Sequence, residues 1–291
     1  MKTAECVVDE KAELGEGPSW NAELEVLYWV DIEGKKLMIY DPAENKNETI
    51  PLDQYIGAAV PKRDGGLILA MQHGFYEFDL NTKQLEAIHD PEQHKPNNRF
   101  NDGKCDPFGR FWAGTMSFDQ EEGEASLYRL HSDHSVYTVV NNLTISNGMA
   151  WSEDGSLMYF IDTPAKTIYA MNMDPLTGTA DDPEVAFVVP DEEGPPDGMT
   201  IDSEGKLWIA HFGEGQVIRW DPESGNALEK IKVPVSVTTS CTFGGKDLKD
   251  LYITTGSSAL DDEQKKEQPQ AGGLFKVRVD VKGTPAHYFG D

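Results

Sequence analysis

Five glycines and one matching cysteine head a recurring short motif, and four of them follow a side chain with a carboxylate or amide oxygen. These are Glu16-Gly17, Asp102-Gly103, Asn147-Gly148 and Asp197-Gly198; the equivalent positions in the other two copies are Ile56 before Gly57 and, more loosely, Ser240 before Cys241. Brought together, such carboxylates and an amide form an oxygen-only ligand set. That set suits a hard cation, Ca²⁺ first, with Mg²⁺ and Mn²⁺ next. None of the seven histidines falls at an equivalent position, which puts Zn²⁺ last. Clustered carboxylates away from water repel one another unless a cation or protons neutralise them. Ca²⁺ takes roughly six to eight oxygens, so three or four side chains leave room for water and a substrate. Asp-Gly and Asn-Gly pairs are also ordinary turn signals. That reading suits Asp154-Gly155 and the nearby Glu204-Gly205, which join two strands; the four donor pairs precede a strand instead.

Chemistry of this kind needs a scaffold that makes distant positions converge. From Gly17 through Gly57, Gly103, Gly148 and Gly198 to Cys241 the spacings are 40, 46, 45, 50 and 43 residues, the period of a propeller blade. After each motif comes a strand such as Leu27–Asp31, Leu67–Ala70, Arg110–Thr115, Leu157–Asp162, Leu207–Ala210 or Leu251–Thr255. A second family of strands also counts six: Met38–Asp41, Phe75–Asp79, Leu127–Leu130, Ile168–Met171, Val217–Asp221 and Leu274–Arg278. Their β-branched and aromatic content fits strands, and no helical apolar period is sustained. The expected fold is all-β, a six-bladed β-propeller with a metal in its central channel, in one domain over residues 1–291. A two-sheet sandwich would leave a motif repeated six times without a reason. Closing the ring requires Glu5–Val8 to add a strand beside Phe275–Val279. The charged stretch Asp261–Gln270, with no apolar residue, reads as a solvated loop of the last blade.

Composition narrows the partners. The formal charge of −26 disfavours nucleic acid and anionic membranes as partners and draws cations inward. No apolar run approaches the roughly 18 residues of a membrane span, and the N-terminus lacks a signal-peptide core, so a cytoplasmic protein is expected. Cys6, Cys105 and Cys241 are too few and too scattered for a disulfide framework and read as small buried thiols.

Four segments carry a resemblance: Leu14–Trp20, Asn98–Lys104, Ser146–Trp151 and Pro196–Asp202. Taken in this order, the sequence resembles the gluconolactonase family, which also includes the senescence-marker and luciferin-regenerating proteins. The resemblance implies a metal-dependent hydrolase that opens sugar lactones to aldonic acids. It implies Glu16, Asn147 and Asp197 as metal ligands, with Asp197 also the catalytic acid/base, and Arg99 and Asn101 as substrate-binding residues. Asp102 then stands beside the metal without binding it. The segment Met116–Glu124 departs from the family pattern, and either Asp119 or Glu121 could supply a further acidic substrate contact. Two other activities fit the same scaffold: a phosphotriesterase-type hydrolase and a non-catalytic calcium-binding propeller.

Overall fold

The computed structural model describes residues 1–290. Asp291, the last residue of the expected unit, lies outside the described residues. The chain forms six sheets, each a blade: blades 1 to 4 are four sequential antiparallel strands, while blade 5 gains a fifth strand and blade 6 its outer strand from the N-terminal segment. Blade 1 runs Gly15–Asn21, Val26–Asp31, Lys36–Asp41 and Lys46–Pro51; blade 2 begins at Ile56–Pro61 and blade 3 at Asn98–Cys105. Blade 4 begins at Ser146–Trp151, blade 5 at Pro196–Ile201 and blade 6 at Thr238–Gly244. These six opening strands are buried throughout or nearly so, and each packs against the opening strand of the next blade.

The hydrophobic core lies in six wedges, one at each blade–blade interface. A second strand serves two wedges at once. Leu27 and Trp29 face blade 6, whereas Tyr28 and Val30 face blade 2. Burial on both faces explains the continuous apolar run Leu67–Met71, which lacks the alternation of a half-solvated strand.

Blade 6 closes as expected. Glu5–Val8 pairs antiparallel with Leu274–Arg278, with Cys6 opposite Phe275. The strand just before it was not foreseen: Lys2–Thr3 runs parallel to Asn226–Lys232, so the N-terminal segment crosses from blade 5 to blade 6. Two expectations need correction. The stretch Asp261–Gln270 is solvated but not irregular, because Asp262–Glu267 forms an α-helix. Asp261 caps it by accepting from Glu263 N and Gln264 N, while Gln264 reaches back to the Asp261 amide. Cys105 and Cys241 are buried, but Cys6, on the edge strand of blade 6, is only partly so. No helix among the described residues is long and apolar enough to cross a membrane.

Candidate metal centre

The recurring glycines are explained where the opening strands meet around the channel. A Cβ on Gly57 would lie 2.7 Å from the backbone of Phe100, and one on Gly148 would lie 2.6 Å from Asp197 O. Neither neighbour is a flexible side chain that could move aside. The opening strands also share an irregularity. All six slip register against their second strand at the ring position: Glu16/Ser19, Ile56/Ala58, Phe100/Asp102, Asn147/Met149, Pro196/Met199 and Thr238/Ser240. A bulge re-aims side chains that a regular pleat would alternate between faces. It accounts for four polar side chains being buried at one level of a β-scaffold: Glu16, Asp102, Asn147 and Asp197 are each 3 to 7% exposed.

The bonds within this ring are mostly short-range. Glu16 Oε2 accepts from Gly17 N at 2.8 Å, Asp102 Oδ1 from Gly103 N at 2.7 Å, and Asn147 Oδ1 from Gly148 N at 3.1 Å. Asn147 Nδ2 donates to Asp197 Oδ1 and, at 3.1 Å, to Thr163 Oγ1. The second oxygens of Glu16, Asp102 and Asp197 have no hydrogen-bond donor among the described residues.

The electrostatics follow from that shortage. Burial, then the charges of Asp197 and Asp102, pushes the Glu16 carboxyl well above its usual range. Burial raises Asp102 as well, and it raises Asp197 to about 8, with Asp102's charge adding to the effect. Two cations flank the ring. Arg99, brought down to about 10 by burial, feels the opposing charges of Glu33, Glu16 and Asp197. Lys104 is lowered by burial and donates to Met199 O at 2.5 Å. Lys104 also borders a small cavity of about 40 Å³ on the far side of the ring, closed in part by Thr284–His287.

Arg99 and Asn101 come together as one unit. Arg99 Nη1 donates to Asn101 Oδ1 at 2.9 Å and to Phe100 O at 3.0 Å, and Asn101 Nδ2 donates to Ser146 O at 3.2 Å. Glu33 and Tyr55 join this neighbourhood through their charge effect on Arg99, and nothing in their local sequence singled them out. Tyr55 packs edge-on against Phe118, with ring centroids 5.1 Å apart. Asp119 and Glu121 follow Phe118 on an exposed turn. Asp119 accepts from Asn97 at 2.8 Å, and the Glu121 amide donates to Ser117 Oγ at 2.8 Å.

The ring suits a divalent cation by its donor chemistry: three largely buried side chains carry carboxylate oxygens in excess of the protein donors that reach them, with an amide beside them. Among the described residues no three His, Cys, Asp or Glu side chains gather tightly enough to hold an ion by themselves. A ligand set at the ring would therefore have to draw on an amide oxygen or on groups from outside the chain in addition to its carboxylates.

Comparison with known proteins agrees with this architecture. The sugar lactone lactonase YvrE, as a Bacillus subtilis (strain 168) protein is named, is 42% identical over 284 residues, 97% of each chain. Regucalcin of Xenopus laevis is 40% identical over 285 residues, 96% of this chain and 95% of its own. A calcium-binding protein, regucalcin, from Agrobacterium tumefaciens superposes with a TM-score of 0.95 at 29% identity, over 99% of this chain and 97% of that one. Residues 14–257, from the loop before the first ring donor to the end of blade 6's second strand, match the SMP-30/Gluconolactonase/LRE-like region, and the chain belongs to that family.

Proposed function

We propose that this protein hydrolyses a sugar lactone to the aldonic acid at a metal centre held by Glu16, Asn147 and Asp197. The observation that carries this reading is the buried ring of donor-poor carboxylates next to the Arg99–Asn101 pair. A structural ion needs the first of these but not the second. Ca²⁺ is the preferred ion, with Mg²⁺, Mn²⁺ and Zn²⁺ as alternatives. The ion's contribution, when bound, is Lewis-acid polarisation of the lactone carbonyl.

The chain's own residues do the rest. Asp197 takes a proton from the water that attacks the carbonyl carbon. It returns that proton to the ring oxygen as the acyl carbon–oxygen bond breaks, so the product leaves as a carboxylic acid with a free hydroxyl. Arg99, pre-set by Asn101 and Phe100 O, offers its remaining N–H groups to substrate hydroxyls. Asp102 stays off the ion and sets the local field. Asp119 or Glu121 supplies the further acidic contact and tunes which lactone is taken. The substrate is a small molecule, with no nucleic acid or membrane involved, and the reaction takes place in the cytoplasm.

The test is proton release from a panel of aldonolactones, run as purified, after chelation, and with each of the four ions restored. Metal-dependent turnover of any sugar lactone is expected. A phosphotriester run in parallel checks the rival hydrolase. Folded protein that binds Ca²⁺ yet turns over neither substrate would make this a calcium-binding propeller.

A further inference from the structure

Blades 3 and 5 contain the same turn built twice: Asp106-Pro107-Phe108-Gly109-Arg110-Phe111-Trp112 and Asp202-Ser203-Glu204-Gly205-Lys206-Leu207-Trp208. In each, the aspartate accepts from the tryptophan indole N–H, at 2.8 Å from Trp112 and 2.9 Å from Trp208. In each, the third strand sets an arginine opposite that tryptophan, Arg129 in blade 3 and Arg219 in blade 5. The charges around this shared frame differ.

Blade 5 surrounds two cations with three carboxylates. Arg219 Nε reaches Asp202 Oδ2 at 2.7 Å and its Nη2 reaches Glu204 Oε2 at 2.6 Å, while Lys206 Nζ reaches Asp221 Oδ1 at 2.8 Å. Blade 3 has Phe108 in the place of Glu204 and His131 in the place of Asp221, so two guanidiniums share Asp106 alone. Arg110 Nε takes that carboxylate at 2.5 Å. Arg129 Nε donates to His131 Nε2 at 2.8 Å, which requires that nitrogen to be unprotonated. Burial, then the charges of Arg129 and Arg110, lowers His131 accordingly.

Both arginines are more than nine-tenths buried, at 5% and 7% exposed, and Arg110 Nη2 is buried with no partner. Phe108 lies against the Arg110 guanidinium, and Trp112 and Tyr137 against that of Arg129. The two Nη1 atoms meet at Gly178, in the exposed loop of blade 4: a Cβ there would lie 2.5 Å from one and 2.9 Å from the other. The next acid, Asp174, turns one oxygen to its own loop, accepting from Leu176 N at 2.9 Å. It makes no ion pair with either arginine among the described residues. Asp174 feels the charge of Arg110 from its exposed loop, but within the buried cluster two guanidiniums face the single carboxylate of Asp106, an exception in a protein of net charge −26.

We propose that Arg110 and Arg129 form a binding site for a small oxyanion, free phosphate or a phosphate monoester, whose oxygens accept from the guanidinium N–H groups that Asp106 and His131 leave unpaired. Two guanidinium forks facing a tetrahedral oxyanion satisfy several N–H groups at once. This site is distinct from the ring and does not depend on the lactonase reading.

The test is thermal unfolding against inorganic phosphate at ionic strength held constant with chloride. Wild-type protein should show a saturable rise in Tm. Arg129→Met should weaken phosphate binding by about tenfold or more. His131→Asp, which restores a carboxylate while keeping both arginines, should abolish the response and raise Tm without phosphate. If Arg129→Met does not fold, His131→Asp decides alone. Calorimetric titration with glucose 6-phosphate separates the two sources: binding tighter than phosphate assigns the site to an ester, equal or weaker binding to the free ion. The proposal is overturned if wild-type protein shows no saturable response, or if His131→Asp responds to phosphate as wild-type does.

Discussion

The ring and the wedges are made from the same strands and are buried to the same degree, yet they rest on opposite physics. A wedge such as the one between blades 3 and 4 joins Trp112, Leu127, Met149 and Phe160, and every contact there removes apolar surface from water. The ring instead holds three carboxylates out of water with few donors; burial raises the proton affinity of each, and repulsion adds to it at Glu16 and Asp197. Burial in the wedges is a source of stability, whereas burial in the ring is a cost that the wedges offset. The division of labour is spatial: the wedges lie between blades, and the ring lies where all six blades meet.

The sharpest way to break this comparison is to delete one member of each region. Asp197→Ala should lower lactone turnover by roughly 10²–10⁴-fold or more and weaken metal binding, as steady-state kinetics and calorimetry would report. The metal-free variant should be no less stable than metal-free wild type, because one buried charge has gone; a clear loss of Tm would contradict the account of the ring. Phe160→Ala should do the reverse. It removes a fully buried ring stacked on Tyr169 with centroids 5.1 Å apart, and denaturant unfolding should show a loss of about 3–5 kcal/mol. Turnover per folded molecule should hold.

A third test concerns a titratable group held by an apolar wall. His211 is fully buried; its Nε2 accepts from Trp220 Nε1 at 3.2 Å, and burial lowers it from 6.5 to about 4. The unfolded chain therefore takes up its proton first. His211 contributes full stability above about pH 6.5, and that contribution shrinks as pH falls towards 4, by up to about 3 kcal/mol. In His211→Gln the stability-against-pH curve should be flatter across that window. The smallest effect is expected far from both regions. Asp261→Ala removes the cap of the helix Asp262–Glu267 and should cost about 1 kcal/mol locally. Faster hydrogen exchange in that helix with unchanged turnover would show it.

The fold was legible because the reason for each repeated glycine is local and recurs: backbone of the neighbouring blade stands where a side chain would go. The ring donors were legible for the same reason, since each precedes such a glycine. The shared bulge was not, because an extra residue in a strand leaves no composition signal. Glu33 and Tyr55 were missed because they reach Arg99 from blade 1 and from the strand-free link that follows it. The helix does carry a sequence sign, since Asp261 followed by Gln264 is a capping signature, but it sits in a highly charged segment whose composition equally fits a solvated loop. The parallel strand Lys2–Thr3 is two residues long and carries no pattern to read.

The crossing of Glu5–Val8 into blade 6 has a consequence for how the molecule is made. This segment emerges from the ribosome before every strand it will join, and its partner Leu274–Arg278 emerges among the last. Until then Glu5–Val8 is an edge strand without the blade it belongs to, and the early blades wait as an open arc with two unsealed wedges at its ends. Blades 1 to 5 can assemble in order of synthesis, each on its predecessor. The step that turns an arc into a ring must wait for Leu274–Arg278, and it joins segments about 270 residues apart in sequence, the slowest class of contact to form. Loss of Leu274–Arg278 would therefore strip Glu5–Val8 of its partner, leaving the N-terminal segment held only where Lys2–Thr3 pairs with blade 5.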